Sequence, residues 1–236
     1  MKNPPPNYAL QRTGRDKVAS PWPSARPLSA GVMRLTGGFV TSPLHSVLLA
    51  TLLLAGCTAV GVPYSSSPST KLDQAMDLVE HQGRPLPAEQ LIVDAISDYT
   101  KAGDAVGLAG AYRAYGLFFR SRTLSQENYA SHYKQTGFLD HEAKFAERYA
   151  RAMHYFELAE AGYKAANKKD LLSNVYFHMG DVATLQGDLV SACQHYLQSK
   201  AVQAAFRTED PKAFSAEEKR QFDGVLQGAM ANAKCP

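Results

Sequence analysis

Cysteine and histidine are the residue types in this chain best suited to nucleophilic or metal chemistry, so their spacing is the first question. The cysteines are Cys57, Cys193 and Cys235. The histidines downstream of Cys57 are His81, His132, His141, His154, His178 and His195. No two of these histidines stand with a carboxylate in the spacing of a zinc protease. The chain also has no G-x-S-x-G elbow, no phosphate-cradling glycine loop and no cysteine-plus-histidine motif. Asp140-His141-Glu142 is a polar cluster that reads as acids at a helix start, where they favour the helix dipole. The expectation is no catalytic residues, no metal and no cofactor, although a triad built from distant residues escapes a local reading.

Cys57 sits differently from the other two cysteines. It ends the stretch MRLTGGFVTSPLHSVLLATLLLAGC, residues 33–57. Arg34 supplies a positive region, and Val47 to Ala55 is a short apolar run interrupted only by Thr51. Ala55 and Gly56 are small. This is the three-part order of a secretion signal, with an apolar run too short to span a bilayer. Leu54-Ala55-Gly56-Cys57 resembles the lipobox of bacterial lipoproteins. The resemblance implies a signal peptide over 33–56, cleavage before Cys57, and a diacylglycerol on its thiol. Acyl chains contribute about 0.8 kcal/mol per buried methylene, so two or three anchor durably where one does not. Thr58 stands where the family tends to place Asp for inner-membrane retention, which implies the periplasmic face of the bacterial outer membrane.

Residues 1–32 are rich in Pro, Ser and Arg and have no apolar period. They read as disordered, or as lying upstream of the true start at Met33. Charge follows the same boundary. Residues 1–57 hold six Lys and Arg against Asp16 alone, a net of +5. Of the 25 Lys+Arg and 22 Asp+Glu in the whole chain, that leaves 19 against 21 in 58–236, a net of −2. A nucleic-acid protein keeps its basic surplus in the folded part, so nucleic acid is set aside. The small, polar, Pro-containing stretch after Cys57, to residue 70, reads as a flexible tether spanning roughly 20 Å.

From residue 71 to 234 the pattern is helical, with no sustained alternation of period two. Small and aromatic residues recur at fixed spacing: Ala95, Tyr99, Ala102; Ala152, Phe156, Ala159; Ala192, Tyr196, Ser199. Each set lies on one helix face. Tyr176-x-x-Met179-Gly180-x-x-Ala183 precedes the last set, with Gly187-Asp188 between them. Tyr112-x-x-Tyr115-Gly116-x-x-Phe119 precedes the second set. Together these resemble the tetratricopeptide repeat, although Ala183 stands where an aromatic is usual and Ala204 near the usual proline. The resemblance implies an all-α fold: a short tetratricopeptide-like stack of helical hairpins, about 2–3 repeats, closed by a C-terminal capping helix. Ser215-x-x-Glu218 is the capping box that opens that last helix. Gly180 to Ala192 is 12 residues but Gly116 to Ala152 is 36, so 24 residues are inserted, over about 124–148. The second helix is expected to start near Asp140, with a loop or short helix before it.

In tetratricopeptide proteins first-helix residues line a groove that receives peptides. Helix phase then nominates Arg113, Leu117, Arg120, Asn174, Phe177, Asp181 and Thr184 as that lining. In an oxidising periplasm Cys193 and Cys235 either form a disulfide or remain two separate thiols. The expected function is a non-enzymatic, lipid-anchored scaffold or adaptor that holds a protein or peptide partner in the cell envelope. Two alternatives stand beside it. One is an envelope enzyme or metal-binding protein using His132, His141 and Glu142 of the insertion. The other is a self-associating structural lipoprotein.

Overall fold

A computed structural model of the chain describes residues 65–236. The expected signal peptide, Cys57 and most of the expected tether lie outside the described residues. Among the described residues there are eight α-helices and no strand. They are α1 (Pro68–Glu80), α2 (Pro85–Ala102), α3 (Ala105–Arg120), α4 (Glu127–Thr136), α5 (Arg148–Ala165), α6 (Lys169–Gln186), α7 (Leu189–Glu209) and α8 (Ala216–Asn232). The 3₁₀ turns Arg122–Ser125 and Phe145–Glu147 flank α4.

Local sequence explains most of the boundaries. Pro68 and Pro85 stand in the first turns of α1 and α2, where a missing N–H costs nothing. Gly103 and Gly187 close α2 and α6 in the left-handed conformation, which favours glycine. The aspartate after each glycine caps the next helix: Asp104 accepts from Gly107 N at 2.8 Å, and Asp188 from Ser191 N at 3.0 Å. Ser215 and Glu218 form both halves of the capping box. Two expectations need correction. Residues 68–70 belong to α1 rather than to the tether. The helix expected near Asp140 begins at Arg148, because residues 140–144 turn while Asp140 points to Arg151 and Tyr155.

Pairs across the helices give their order. Lys71–Asp98, Glu89–Tyr115, Gly116–Phe156, Phe156–His178, Gly180–Tyr196 and Arg207–Asp223 join consecutive partners. Together with Gly110–Tyr163, Glu160–Tyr176, Lys169–Glu209 and Cys193–Cys235, these contacts run in opposite senses along consecutive helices. The path α1–α2–α3–α5–α6–α7–α8 is therefore an antiparallel run, with α4 and its flanking turns inserted between α3 and α5. One buried cluster runs from α1 to α6, centred on Tyr115, Phe118, Phe119, Phe156 and Tyr163. A smaller one joins α6, α7 and α8 through Ala183, Ala192, Tyr196, Phe222 and Leu226.

The insertion is docked rather than loose. Glu89, only 2% exposed, accepts from Tyr115 Oη and from Leu139 N, both at 2.8 Å. Phe138 and Tyr133 stack at 4.3 Å beside Phe118 and Phe119. Burial pushes the Glu89 carboxyl above its usual range, and the hydrogen bonds from Tyr115 and Leu139 offset only part of that.

Candidate functional site

Two glycines set how closely the helices of each hairpin approach. A Cβ on Gly116 would lie 2.8 Å from the Phe156 ring, and one on Gly180 would lie 2.4 Å from the Tyr196 ring. In each case a first-helix glycine receives the aromatic of the following partner. The third recurrent aromatic, Tyr99, meets Gly107 of the next helix instead, and Ala102 is exposed, so the first set does not repeat the contact.

Because α3 and α6 are both antiparallel to α5, they run in the same direction. Arg120 of α3 donates to Asp181 Oδ2 of α6 and ties the two together. Asp181 Oδ1 also accepts from Tyr196 Oη at 3.0 Å, and Tyr196 Oη lies 3.2 Å from Thr184 Oγ1. Thr184 Oγ1 donates to Gly180 O at 2.9 Å. Three of the predicted lining residues are thus fastened to one another or to their own helix. Leu117 is buried. Asn174 reaches its own helix at Asp170 O, 3.4 Å away, and Phe177 packs half-buried at 5.7 Å from Tyr196. Arg113 stands apart: its Nε is buried and has no hydrogen-bond partner among the described residues.

His178 is a member of this site that helix phase did not nominate. Its ring stacks on Phe156 at 5.8 Å, its Nδ1 lies 3.7 Å from Asp181 Oδ2, and its side chain is 14% exposed. Burial lowers its pKa to about 4. Asp181 pulls upward, while the positive charges of Arg120 and Arg113 add to the lowering. The imidazole is therefore neutral at pH 7. Burial raises the Asp181 carboxyl, but His178, Arg120 and Tyr196 outweigh it and hold it below the usual range. Spacing of three from Asp181 was the sequence signal for His178; its seat on Phe156 comes from another helix. Arg120 and Asp181 neutralise each other, whereas Arg113 forms no salt bridge among the described residues.

The insertion holds a different cluster. Asp140 accepts from Arg151 Nη2 at 2.9 Å and from Tyr155 Oη at 2.9 Å, so it is an ion-pair anchor and not a helix-capping acid. Burial raises its pKa, and Arg151 and Tyr155 more than reverse that. Glu142 pairs with Arg151 at 3.0 Å, His141 is exposed, and His132 rests edge-on against Tyr133 at 5.3 Å. Among the described residues no three His, Cys, Asp or Glu side chains form a group that could hold a metal ion. Cys193 and Cys235 are joined in a disulfide, with Cα atoms 5.3 Å apart. Among the described residues no helix is long and apolar enough to cross a membrane.

No family model, no curated protein and no solved structure matches this chain.

Proposed function

We propose that the protein is a lipid-anchored scaffold of the bacterial envelope. It is attached through Cys57 at the periplasmic face of the outer membrane. It holds a partner polypeptide against the α3–α6 face of a short tetratricopeptide-like stack. The observation that carries this reading is the repeated glycine–aromatic contact, Gly116 with Phe156 and Gly180 with Tyr196. It sets two successive hairpins in the same internal register and leaves α3 and α6 side by side. Helix phase turns Arg113, Asn174 and Phe177 toward that face, where they would offer a charge, an amide and an aromatic to an extended segment. The Leu54-Ala55-Gly56-Cys57 motif supports the address.

Both halves are testable. Photo-crosslinkers placed at Arg113 and Phe177 should trap the same partner in cells, and one placed at the exposed Gln198 should not. Capture independent of position would remove the groove. Labelled palmitate should enter the wild-type protein and be absent from Cys57→Ala. Equal labelling of the two would remove the anchor.

A further inference from the structure

The last helix has a small noncovalent interface and one covalent bond. α8 packs principally against α7, and of its large apolar side chains only Phe222 and Leu226 are buried. The polar hold centres on half-buried Arg207, which pairs with the exposed Asp223 at 2.9 Å, donates to Lys219 O at 3.3 Å and lies over the Phe222 ring at 5.6 Å. Lys219 Nζ also donates to Pro211 O at 2.9 Å. Two glycines, Gly224 and Gly228, stand one turn apart inside α8, and a Cβ at either would meet nothing within 4 Å. No close approach explains them, and each lowers the helix's own stability relative to alanine. The disulfide lies at the far end of the helix from its capping box. Cys235 is bonded to Cys193 in the first turns of α7, and Cys193 Sγ lies 3.8 Å from Ala233 O. Both cysteines are half-buried rather than sealed in the core.

We infer that α8 is a redox-held strap. The Cys193–Cys235 bond keeps it shut over the apolar seat formed by Ala183, Ala192 and Tyr196, and reduction releases it while α1–α7 stay folded. The step is a two-electron exchange with a dithiol. The Cys193–Cys235 bond breaks, each sulfur takes a proton from the dithiol, and the dithiol's own sulfurs join as its disulfide. Local opening of one weakly packed unit is how proteins expose a surface without global unfolding.

Hydrogen exchange on the full chain, oxidised and after treatment with dithiothreitol, tests this. Amides of Ala216–Asn232 should exchange at least about tenfold faster once reduced, while those of α3, α5 and α6 change by less than about twofold. A Cys193→Ala, Cys235→Ala double variant should reproduce the reduced pattern without reductant, which separates the bond from any other effect of the thiol. Unchanged α8 protection in both samples would overturn the strap, because packing alone would then suffice. Loss of protection spreading through α6 and α7 would overturn it too, because the bond would then staple the whole stack.

Discussion

At the scale of single residues, identical substitutions should have opposite signs. Gly180→Ala forces a methyl into the Tyr196 ring, 2.4 Å from the new Cβ, and overpacking of that kind costs about 1–3 kcal/mol. Gly224→Ala places the same methyl in open space on a helix, and should stabilise by about 0.5–1 kcal/mol. Denaturant melts of the two variants measure both. His178 makes a second residue-scale prediction. Its folded pKa is depressed from 6.5 to about 4, so its contribution is complete above about pH 6.5 and is lost as pH falls toward 4. The total is about 3 kcal/mol. Glu89 works in the opposite sense. Its pKa is raised, so the folded state takes up a proton above the ordinary carboxyl range and stability rises as pH falls through that window. Wild type minus His178→Gln, measured by urea titration at pH 4, 5, 6 and 7, isolates the histidine. A flat difference would mean that the imidazole is as free to charge in the fold as in the unfolded chain.

At the scale of elements, the insertion is the part whose attachment hangs on few atoms. Glu89 holds the Leu139 N–H and the Tyr115 hydroxyl together. Glu89→Ala leaves the buried Tyr115 hydroxyl without a partner, at about 1–3 kcal/mol, and frees the less buried Leu139 N–H as well. Proteolysis should then cut preferentially within 127–139, around the tip of α4, before the rest of the domain. Cutting at wild-type rates would mean that Phe138 and Tyr133 dock the segment without the carboxylate. This attachment was illegible in the sequence, because Glu89 and Leu139 are fifty positions apart and neither carries a motif. The helix begins well after Asp140 for the same kind of reason: Arg151 satisfies the carboxylate that would otherwise cap a helix.

At the scale of the whole molecule, the run of antiparallel helices has unequal ends. The α1–α6 region shares one large aromatic core, whereas α8 rests on two buried large side chains, the contacts of Arg207 and a disulfide. Cooperative unfolding should therefore involve α1–α7 as a unit, with α8 joining it only while Cys193 and Cys235 remain bonded. Under the scaffold proposal, the α3–α6 face stays fixed while the redox-held strap at α8 opens and closes.

The amino-acid order by itself determined the all-helical class, the Gly103-Asp104 and Gly187-Asp188 breaks, the capping box at Ser215, and the three sets of small and aromatic residues. These depend on local backbone preference and on a period of 3.6, which a chain carries in every stretch. The tertiary structure alone decided which polar lining residues are spent on each other. Arg120 neutralises Asp181, His178 sits uncharged on Phe156, and Arg113 is left with a buried Nε that no described residue satisfies. Those outcomes depend on charges from different helices meeting out of water, where Coulomb and desolvation terms are largest, and no local pattern encodes that meeting.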